Sequence, residues 1–247
     1  MKQILLMIAL VLVGGCGTPA KKASEPTSPI VASTSTPWVS DPSDPNNVII
    51  EKEIRKRLSK PTGELTKAEL AKVTYICMSS TKITDAGLND IAKLQKLKYL
   101  LLYYTKITDA GLKGVAKLQK LTNLYLDFTQ ITDAGLKDIA KMKQLTALGL
   151  DDTKITDAGL NDIAKLQNLT CLYLGDTQIT DAGLKEVAKL QNLTWLYLGD
   201  TNITDAGLRE LAKLQKLRFL GLFDTKITDA GVAKLKKALP SECKIGY

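Results

Sequence analysis

The chain has 247 residues and a formal net charge of +8, with four cysteines and no histidine. The absence of histidine excludes Ser-His-Asp and Cys-His nucleophile systems, histidine-ligated zinc or iron sites and histidine-based pH switches. The apolar content of 45% is enough to form a hydrophobic core. We therefore expect most of the chain to fold.

Residues 1–15 are a predicted signal peptide. Lys2 precedes an apolar run from Ile4 to Val13, which is too short to span a bilayer as a helix. The ending Leu12-Val13-Gly14-Gly15-Cys16 resembles the lipobox of bacterial lipoproteins. This resemblance implies cleavage before Cys16 and acylation of that residue, and several acyl chains anchor a protein stably. The alternative is an ordinary signal peptide followed by a cysteine by chance.

Residues 16–46 are predicted to be the lipidated cysteine and a disordered tether. Their Ala, Ser, Thr, Pro and Lys content cannot bury enough apolar area to offset the entropy of ordering the chain. Gly17 follows Cys16 directly. An Asp at this position would resemble a signal for retention in the inner membrane of diderm bacteria, and this chain lacks it. We therefore expect export to the bacterial cell envelope, with the outer membrane favoured.

Residues 47–72 are predicted to be a helical cap, because the ends of a repeat stack need a cover. Ile49, Ile50, Ile54 and Leu58 lie on one face of a helix that is broken at Pro61, and a second short helix follows from Thr66.

A unit of 24 residues then repeats without insertion. The string Ile-Thr-Asp-Ala-Gly begins at Ile83 and recurs six times, the last at Ile227. Before each string stands a pattern such as Leu97-x-x-Leu100-x-Leu102-x-x-Thr105-x-Ile107. This pattern resembles the leucine-rich repeat family, with Thr in place of the usual Asn or Cys. The resemblance implies an α/β right-handed solenoid with a parallel concave sheet and short convex helices. Seven repeats cover residues 73–231, and residues 232–247 form a C-terminal cap.

The residues of one repeat support the same fold. Fixed apolar positions alternate with variable ones around Leu100, which is typical of a strand with one buried face. Thr108 is a good helix N-cap, and Asp109 lies where the helix dipole favours an anion. We also expect the threonines of the Thr105 type to link neighbouring turns through hydroxyl-to-backbone hydrogen bonds.

Four variable positions in and after each strand describe lines along the concave face. The lines begin at Tyr75, Cys77, Ser79 and Ser80 and continue in steps of 24 residues. They hold every aromatic residue except Trp38 and Tyr247, and up to residue 224 they hold none of the 34 basic residues. We expect an aromatic and acidic concave face and basic helices and ends. Nucleic-acid binding is not expected, because it needs basic residues among the aromatics.

Surface aromatics beside polar residues are typical of recognition sites. The predicted function is a lipid-anchored extracytoplasmic module that binds a protein or peptide through the concave face, without cofactor or metal. A glycan-binding module and a structural spacer are the alternatives, and cross-strand packing of the aromatics would favour the spacer. The predicted ligand-binding residues are Tyr75, Tyr99, Tyr103, Tyr125, Asp127, Asp151, Asp152, Tyr173, Asp176, Trp195, Tyr197, Asp200, Phe219 and Phe223.

Gly149 separates two predicted aromatic groups along this face. Tyr125 and Tyr173 flank it at a distance of about two strand spacings. We hypothesise a notch there that accepts a flat group, with Asp151 and Asp152 at its rim. The alternative is a tyrosine ring that lies over the glycine.

Four aspartates follow the strands in register, at positions 152, 176, 200 and 224. Such a row attracts a cationic partner or weakly binds calcium, or else it caps the following loop. Calcium needs converging oxygens, which a line does not supply, so no metal site is predicted. Asp151 and Asp152 are the only candidates for a catalytic carboxylate pair, and adjacent strand residues point to opposite faces. We therefore expect no enzyme.

Apart from Cys16, the chain has three cysteines. Neighbours among Cys77, Cys171 and Cys243 are three or four turns apart, about 14–19 Å, whereas a disulfide needs Cα atoms within about 7 Å. We expect all three to be free thiols.

Overall fold

The computed structural model describes residues 41–247, which form one eight-stranded parallel sheet in which each strand pairs with the next along the chain. Each strand has three residues. The strands are β1 (Tyr75–Cys77), β2 (Tyr99–Leu101), β3 (Asn123–Tyr125), β4 (Ala147–Gly149), β5 (Cys171–Tyr173), β6 (Trp195–Tyr197), β7 (Phe219–Gly221) and β8 (Lys244–Gly246).

Short helices connect the strands, as expected for the predicted α/β solenoid. The helices are α1 (Pro45–Leu58), α2 (Lys67–Leu70), α3 (Asp85–Ile91), α4 (Asp109–Val115), α5 (Asp133–Ile139), α6 (Asp157–Ile163), α7 (Leu184–Val187), α8 (Leu208–Leu211) and α9 (Asp229–Ala238). The predicted fold class is confirmed.

The repeat length sets the register of the sheet. From β1 to β7 each residue pairs with the residue 24 positions later, as Tyr99 does with Asn123. The central residue of each of these strands, such as Leu100, is fully buried in the core between sheet and helices. The residues on either side of it lie on the opposite face. We call that face, which carries the four lines of variable residues, the open face.

Neighbouring turns are linked by the Asp and Thr of the repeated string. The Asp85 carboxylate accepts hydrogen bonds from the Thr108 backbone N–H at 2.9 Å and from the Thr108 hydroxyl at 2.6 Å. Gly111 permits this approach, because a Cβ there would lie 2.6 Å from the Asp85 carboxylate. The same pair of bonds joins every following turn, up to Asp205 and Thr228. Twenty-four-residue periodicity thus fixes both the packing and the polar links between turns.

The other threonine of the repeat does not make the predicted links. The Thr105 hydroxyl donates to the carbonyl of Leu102 at 2.6 Å, three residues earlier in the same turn. Thr81, Thr129, Thr153, Thr177, Thr201 and Thr225 make the corresponding bond. The predicted link between turns is therefore wrong for this series, because the nearest acceptor is the carbonyl at the end of the residue's own strand.

The N-terminal helices cover the first turn. Ile50 and Ile54 of α1 are fully buried, and the Asn46 side-chain oxygen accepts a hydrogen bond from the Thr84 N–H at 2.9 Å. Asn46 therefore occupies the position that Asp85 has toward the next turn. Thr66 begins α2 with a capping box to Glu69.

The tether prediction is wrong for its last residues. Asp44 caps α1 by accepting from the Asn46 N–H at 2.8 Å, and Pro45 occupies the first helical turn, so the helix begins inside the segment predicted to be disordered. The signal peptide, Cys16 and the tether up to residue 40 lie outside the described residues. The limits of the caps and repeats stay predictions.

The C-terminal end has the predicted helix and closing strand. Leu235 and Leu239 are buried, and Cys243 and Ile245 pack against the same core. Strand β8 pairs with β7 at a step of 25 residues, with Lys244 beside Phe219.

Candidate functional site

The fourteen predicted ligand-binding residues lie in or directly after the strands, and they differ in exposure. Three are buried, namely Asp127, Tyr173 and Tyr197. Three are exposed, namely Asp152, Asp176 and Asp200. The others are partly buried: Tyr75, Tyr99, Tyr103, Tyr125, Asp151, Trp195, Phe219 and Phe223.

A second hydrophobic cluster, separate from the core, lies on the open face. Its buried members are Ala147, Cys171, Tyr173 and Tyr197, and its partly buried members are Tyr125, Trp195 and Phe223. The predicted separation into two aromatic groups is wrong at this point, because Tyr125 and Tyr173 meet across β4 with their ring centroids 6.4 Å apart. The aromatic residues form a continuous layer through the middle of the face.

This layer fills the space over the glycines of the sheet. A Cβ atom at Gly175, Gly199 or Gly221 would collide with the Tyr197 side chain, which therefore lies across three neighbouring strands. Phe223 covers Gly246 in the same way. Glycine thus admits aromatic rings from the same turn and from neighbouring turns, as in aromatic pairing across other sheets.

The hypothesised notch at Gly149 is filled. A Cβ there would lie 2.5 Å from Asp127 Oδ2 and 2.8 Å from Tyr125 Cδ1, and Gly149 itself is buried. The rings of Tyr125 and Tyr173 are inclined by 48° and too close to hold a flat group between them. The notch hypothesis is therefore wrong, and the alternative of a covered glycine describes the structure.

Two stacked aromatic pairs lie on the open face. Tyr104 and Phe128 stack with centroids 4.2 Å apart and an interplanar angle of 10°. Trp195 and Phe219 stack at 4.1 Å and 20°. Tyr104 is 41% exposed. Tyr104 and Phe128 were not among the predicted site residues, although both lie in the fourth line of variable positions and could have been included on that ground.

The fourth line has a backbone conformation of its own. Its members have positive φ, with Asp152 at 49°, Asp176 at 50°, Asp200 at 56° and Asp224 at 55°. Aspartate tolerates this left-handed region better than most residues do, which accounts for part of the acidic row. Bulky side chains are rare there. Tyr104 at 56° and Phe128 at 57° are held in an uncommon conformation that presents their stacked rings at the edge of the face.

The pKa values of acidic residues on the open face are raised by burial and by neighbouring carboxylates. Burial, together with the charge of Asp176, raises the pKa of Asp152. Burial and the charges of Asp224 and Asp176 raise the pKa of Asp200. No ion pair to these aspartates is present within residues 41–247. This side of the solenoid therefore has an uncompensated negative potential.

Asp127 is buried next to the Tyr125 ring, and Asp151 in the next turn is partly exposed. Asp127 Oδ1 accepts from the Asp151 N–H at 3.1 Å, and Asp151 Oδ1 accepts from the Gly175 N–H at 2.6 Å. Burial raises the pKa of Asp127 to about 6. Burial and the charge of Asp127 raise the pKa of Asp151 well above its ordinary value.

The basic residues lie mainly on the helix side. Lys93 pairs with Asp90 and Lys141 with Asp138, both at 2.6 Å, and each lysine lies just after the helix that carries its partner. Two cations lie at the ends of the open face, although the sequence predicted no cation on this face. The Arg57 guanidinium lies 4.2 Å from the centroid of the Tyr75 ring, and β8 places Lys244 beside Phe219.

Cys77 and Cys243 are free thiols, as predicted. Cys171 is disulfide-bonded, so the prediction is wrong for this residue. The expected separation of about 14–19 Å applies only among Cys77, Cys171 and Cys243 and excludes no other partner.

Among residues 41–247 no three acidic or cysteine side chains converge in a way that could hold a metal ion. In the same range no helix has the length and apolar character needed to cross a membrane.

A family model for leucine-rich repeats matches residues 117–140, 165–188 and 189–212. The chain folds as a leucine-rich repeat solenoid. It is similar to the crystal structure of an internalin C2 from Listeria monocytogenes, with 27% sequence identity, a TM-score of 0.60, and 81% of this chain and 95% of that chain covered. The crystal structure of another internalin from the same species matches with 18% identity over 82% of this chain and 96% of that chain, and with a TM-score of 0.36. No curated protein matches the chain.

Proposed function

We propose that this leucine-rich repeat solenoid is a lipid-anchored extracytoplasmic module that binds a protein or peptide through its open face. Leucine-rich repeat proteins commonly use the extended surface of their sheet for binding. The observation that carries the proposal is the distribution of side chains: exposed carboxylates and stacked aromatic pairs share the open face, while lysines and their ion pairs lie on the helices.

The proposed partner presents positive charge. Asp152, Asp176, Asp200 and Asp224 are exposed and in register, and neighbouring strands are about 4.8 Å apart. Like charges at this spacing repel one another, and a basic segment laid along the row would relieve the repulsion. Tyr104, Phe128, Trp195 and Phe219 would add apolar contact at both ends of the row.

Charge-matched variants test the proposal. One variant replaces the four row aspartates with Asn. Its control replaces Asp90, Asp138 and Asp162 with Asn and Glu186 with Gln, which removes the same charge from the helix side. Full-length protein in detergent is incubated with envelope extract, and retained proteins are identified by mass spectrometry. We expect wild type and control to retain the same protein and the row variant to lose at least nine-tenths of it. Equal retention by all three would contradict the proposal.

Glycan binding is the second candidate, because exposed aromatic rings beside carboxylates also suit sugars. The same three proteins are applied to a glycan array. Glycan binding is favoured over protein binding by two results together. Wild type binds a defined glycan that the Trp195→Ala variant does not bind, and no protein is retained in the extract experiment.

The lipid anchor is a separate part of the proposal and rests on the residues before Cys16. We expect the mature protein to begin at Cys16 with a diacylglyceryl thioether and an N-acyl group, which mass spectrometry of the N-terminal peptide detects. The Cys16→Ser variant should leave the membrane fraction. A Cys16 that carries neither the thioether nor the N-acyl group would refute the anchor. Gly17→Asp should shift the protein from the outer to the inner membrane if the outer-membrane location is right.

A further inference from the structure

Three oxygen-bearing side chains converge at the centre of the open face. The Asp127 carboxylate lies over Gly149, next to the Tyr125 ring. Asp151 occupies the same position one turn later, and its backbone N–H is bonded to Asp127. Tyr173 closes the group from β5, with its ring 6.4 Å from that of Tyr125.

The hydroxyl of Tyr173 is unsatisfied in this group. Only 6% of the residue is exposed, and its oxygen is one of two buried side-chain polar atoms without a hydrogen-bond partner in the described part of the chain. Burial raises the pKa of this hydroxyl, and so do the neighbouring Tyr125 and the charges of Asp151 and Asp127. A buried hydroxyl without a partner is destabilising, so a ligand that bonds to it would be favoured.

No cation of the described residues compensates the two carboxylates. The ion pairs between residues 41 and 247 lie on the N-terminal helices and on the helix side of the repeats. The titratable groups around Asp127 and Asp151 are acids and phenols: Tyr103 and Tyr104 from the turn before, Tyr125 on the same strand, and Asp152, Tyr173, Asp176 and Tyr197 from the turns after. A cation that pairs with these carboxylates would therefore come from outside this part of the chain.

We propose that Asp127, Asp151 and Tyr173 bind a primary ammonium group of the ligand, such as a lysine side chain. An ammonium has three N–H donors, and these three side chains offer it two carboxylates and one hydroxyl as acceptors. The neighbouring Tyr125 ring adds a face that attracts a cation. Asp151 is partly exposed and the other two are buried, so the ammonium enters beside Asp151. This inference rests on the proposed function and names the group that the centre of the face recognises.

The probe is the peptide acetyl-Gly-Lys-Gly-amide, titrated calorimetrically into the full-length protein in detergent at pH 7. Its matched partners are the same peptide with an Nε-acetylated lysine and the peptide with Arg in place of Lys. We expect the lysine peptide to bind at least tenfold more tightly than either. Affinity should also rise between pH 5 and pH 7, because the ammonium binds the ionised form of Asp127, whose pKa is about 6.

Variants identify the site. Asp127→Asn combined with Asp151→Asn should weaken binding of the lysine peptide at least tenfold and remove its pH dependence, and Tyr173→Phe should weaken it a few-fold. Asp138→Asn combined with Asp162→Asn removes the same charge from the helix side and should change affinity less than twofold. Asp151→Asn alone is the second test if the double variant does not fold, and it should weaken binding at least fivefold.

Equal binding of the acetylated or arginine peptide would overturn the inference, and so would an equal loss in the Asp138 and Asp162 control. Failure of the inference is distinguishable from failure of the proposed function. If the row variant loses its protein partner but the lysine peptide does not bind, the open face binds protein without this ammonium site. If the peptide binds as expected and no partner depends on the row, the ammonium site stands and the wider proposal fails.

Discussion

Asp127 shows how burial of one carboxylate controls stability. Its pKa is raised from 3.8 to about 6 in the folded protein, so the folded state binds this proton more tightly than the unfolded state does. Below about pH 4 both states are protonated and the effect vanishes. As pH rises to about 6 the folded state loses stability relative to the unfolded state, and above that the loss is constant.

We therefore predict that Asp127→Asn is more stable than wild type at pH 7, by roughly 1–3 kcal/mol, since one pKa unit corresponds to about 1.4 kcal/mol. The Asn side-chain oxygen can still accept from the Asp151 N–H. The difference should disappear at about pH 4, as measured by urea denaturation at both values. Asp138→Asn on the helix side controls for the lost charge. A variant whose stability follows that of wild type at both pH values would contradict the assignment.

Tyr197 is the second residue whose role can be isolated, because its ring covers Gly175, Gly199 and Gly221. Truncation to Ala would leave a cavity over three strands, and we predict a loss of about 3–4 kcal/mol in the free energy of unfolding. Tyr104→Ala removes an aromatic residue that is 41% exposed and should cost less than about 1 kcal/mol. Comparable losses in both variants would show that the ring over the glycines does not stabilise the sheet.

At the scale of the single turn, the Asp and Thr of the repeated string join one helix to the next. Asp157 accepts from the Thr180 N–H at 2.9 Å and from its hydroxyl at 2.6 Å. Its counterpart Asp229 belongs to the last copy of the string, which no further turn follows, and begins α9 in an exposed position. The two residues have the same sequence context but only one of them makes the link.

Asp157→Ala should therefore destabilise the protein by about 1–3 kcal/mol, because it leaves a backbone N–H without its partner. Asp229→Ala loses only a favourable charge at a helix N-terminus and should cost about 0.3–1 kcal/mol. Thermal unfolding of both variants measures the difference. If the Asp229 variant loses as much as the Asp157 variant, the string stabilises its own helix and does not hold the turns together.

The same turn shows what a sequence can and cannot predict. Length, strand positions and the buried leucines follow from periodicity, since a stack of identical turns allows one register only. Thr105 was assigned to the wrong bond, because periodicity does not distinguish an acceptor in the same turn from one in the next. At Gly149 the sequence left open both a notch and a covering tyrosine ring, because the direction of a ring along the sheet depends on packing between turns. Asp127 looked like one more surface carboxylate, and its burial is a product of that aromatic layer.

At the scale of the whole molecule, the sheet separates two chemistries. Aromatic rings and carboxylates lie on the open face, and lysines with their ion pairs lie on the helices. The two ends are joined to the stack in different ways. At the N-terminal end Asn46 accepts the hydrogen bond that an aspartate accepts in the later turns. At the C-terminal end β8 extends the sheet. The distribution of charge was predictable from the columns of variable residues, whereas the cations Arg57 and Lys244 at the margins required the fold of the caps.

The proposed function requires that the open face is the surface that contacts the partner. Photo-crosslinking in cells that produce the full-length protein tests this most directly, with benzoylphenylalanine at Tyr104 or Trp195 on the open face and at Lys137 or Lys185 on exposed helix positions. We predict an adduct of one common mass from both open-face positions and none from the helix positions. Adducts from the helix positions alone, or equally from both sides, would contradict the account.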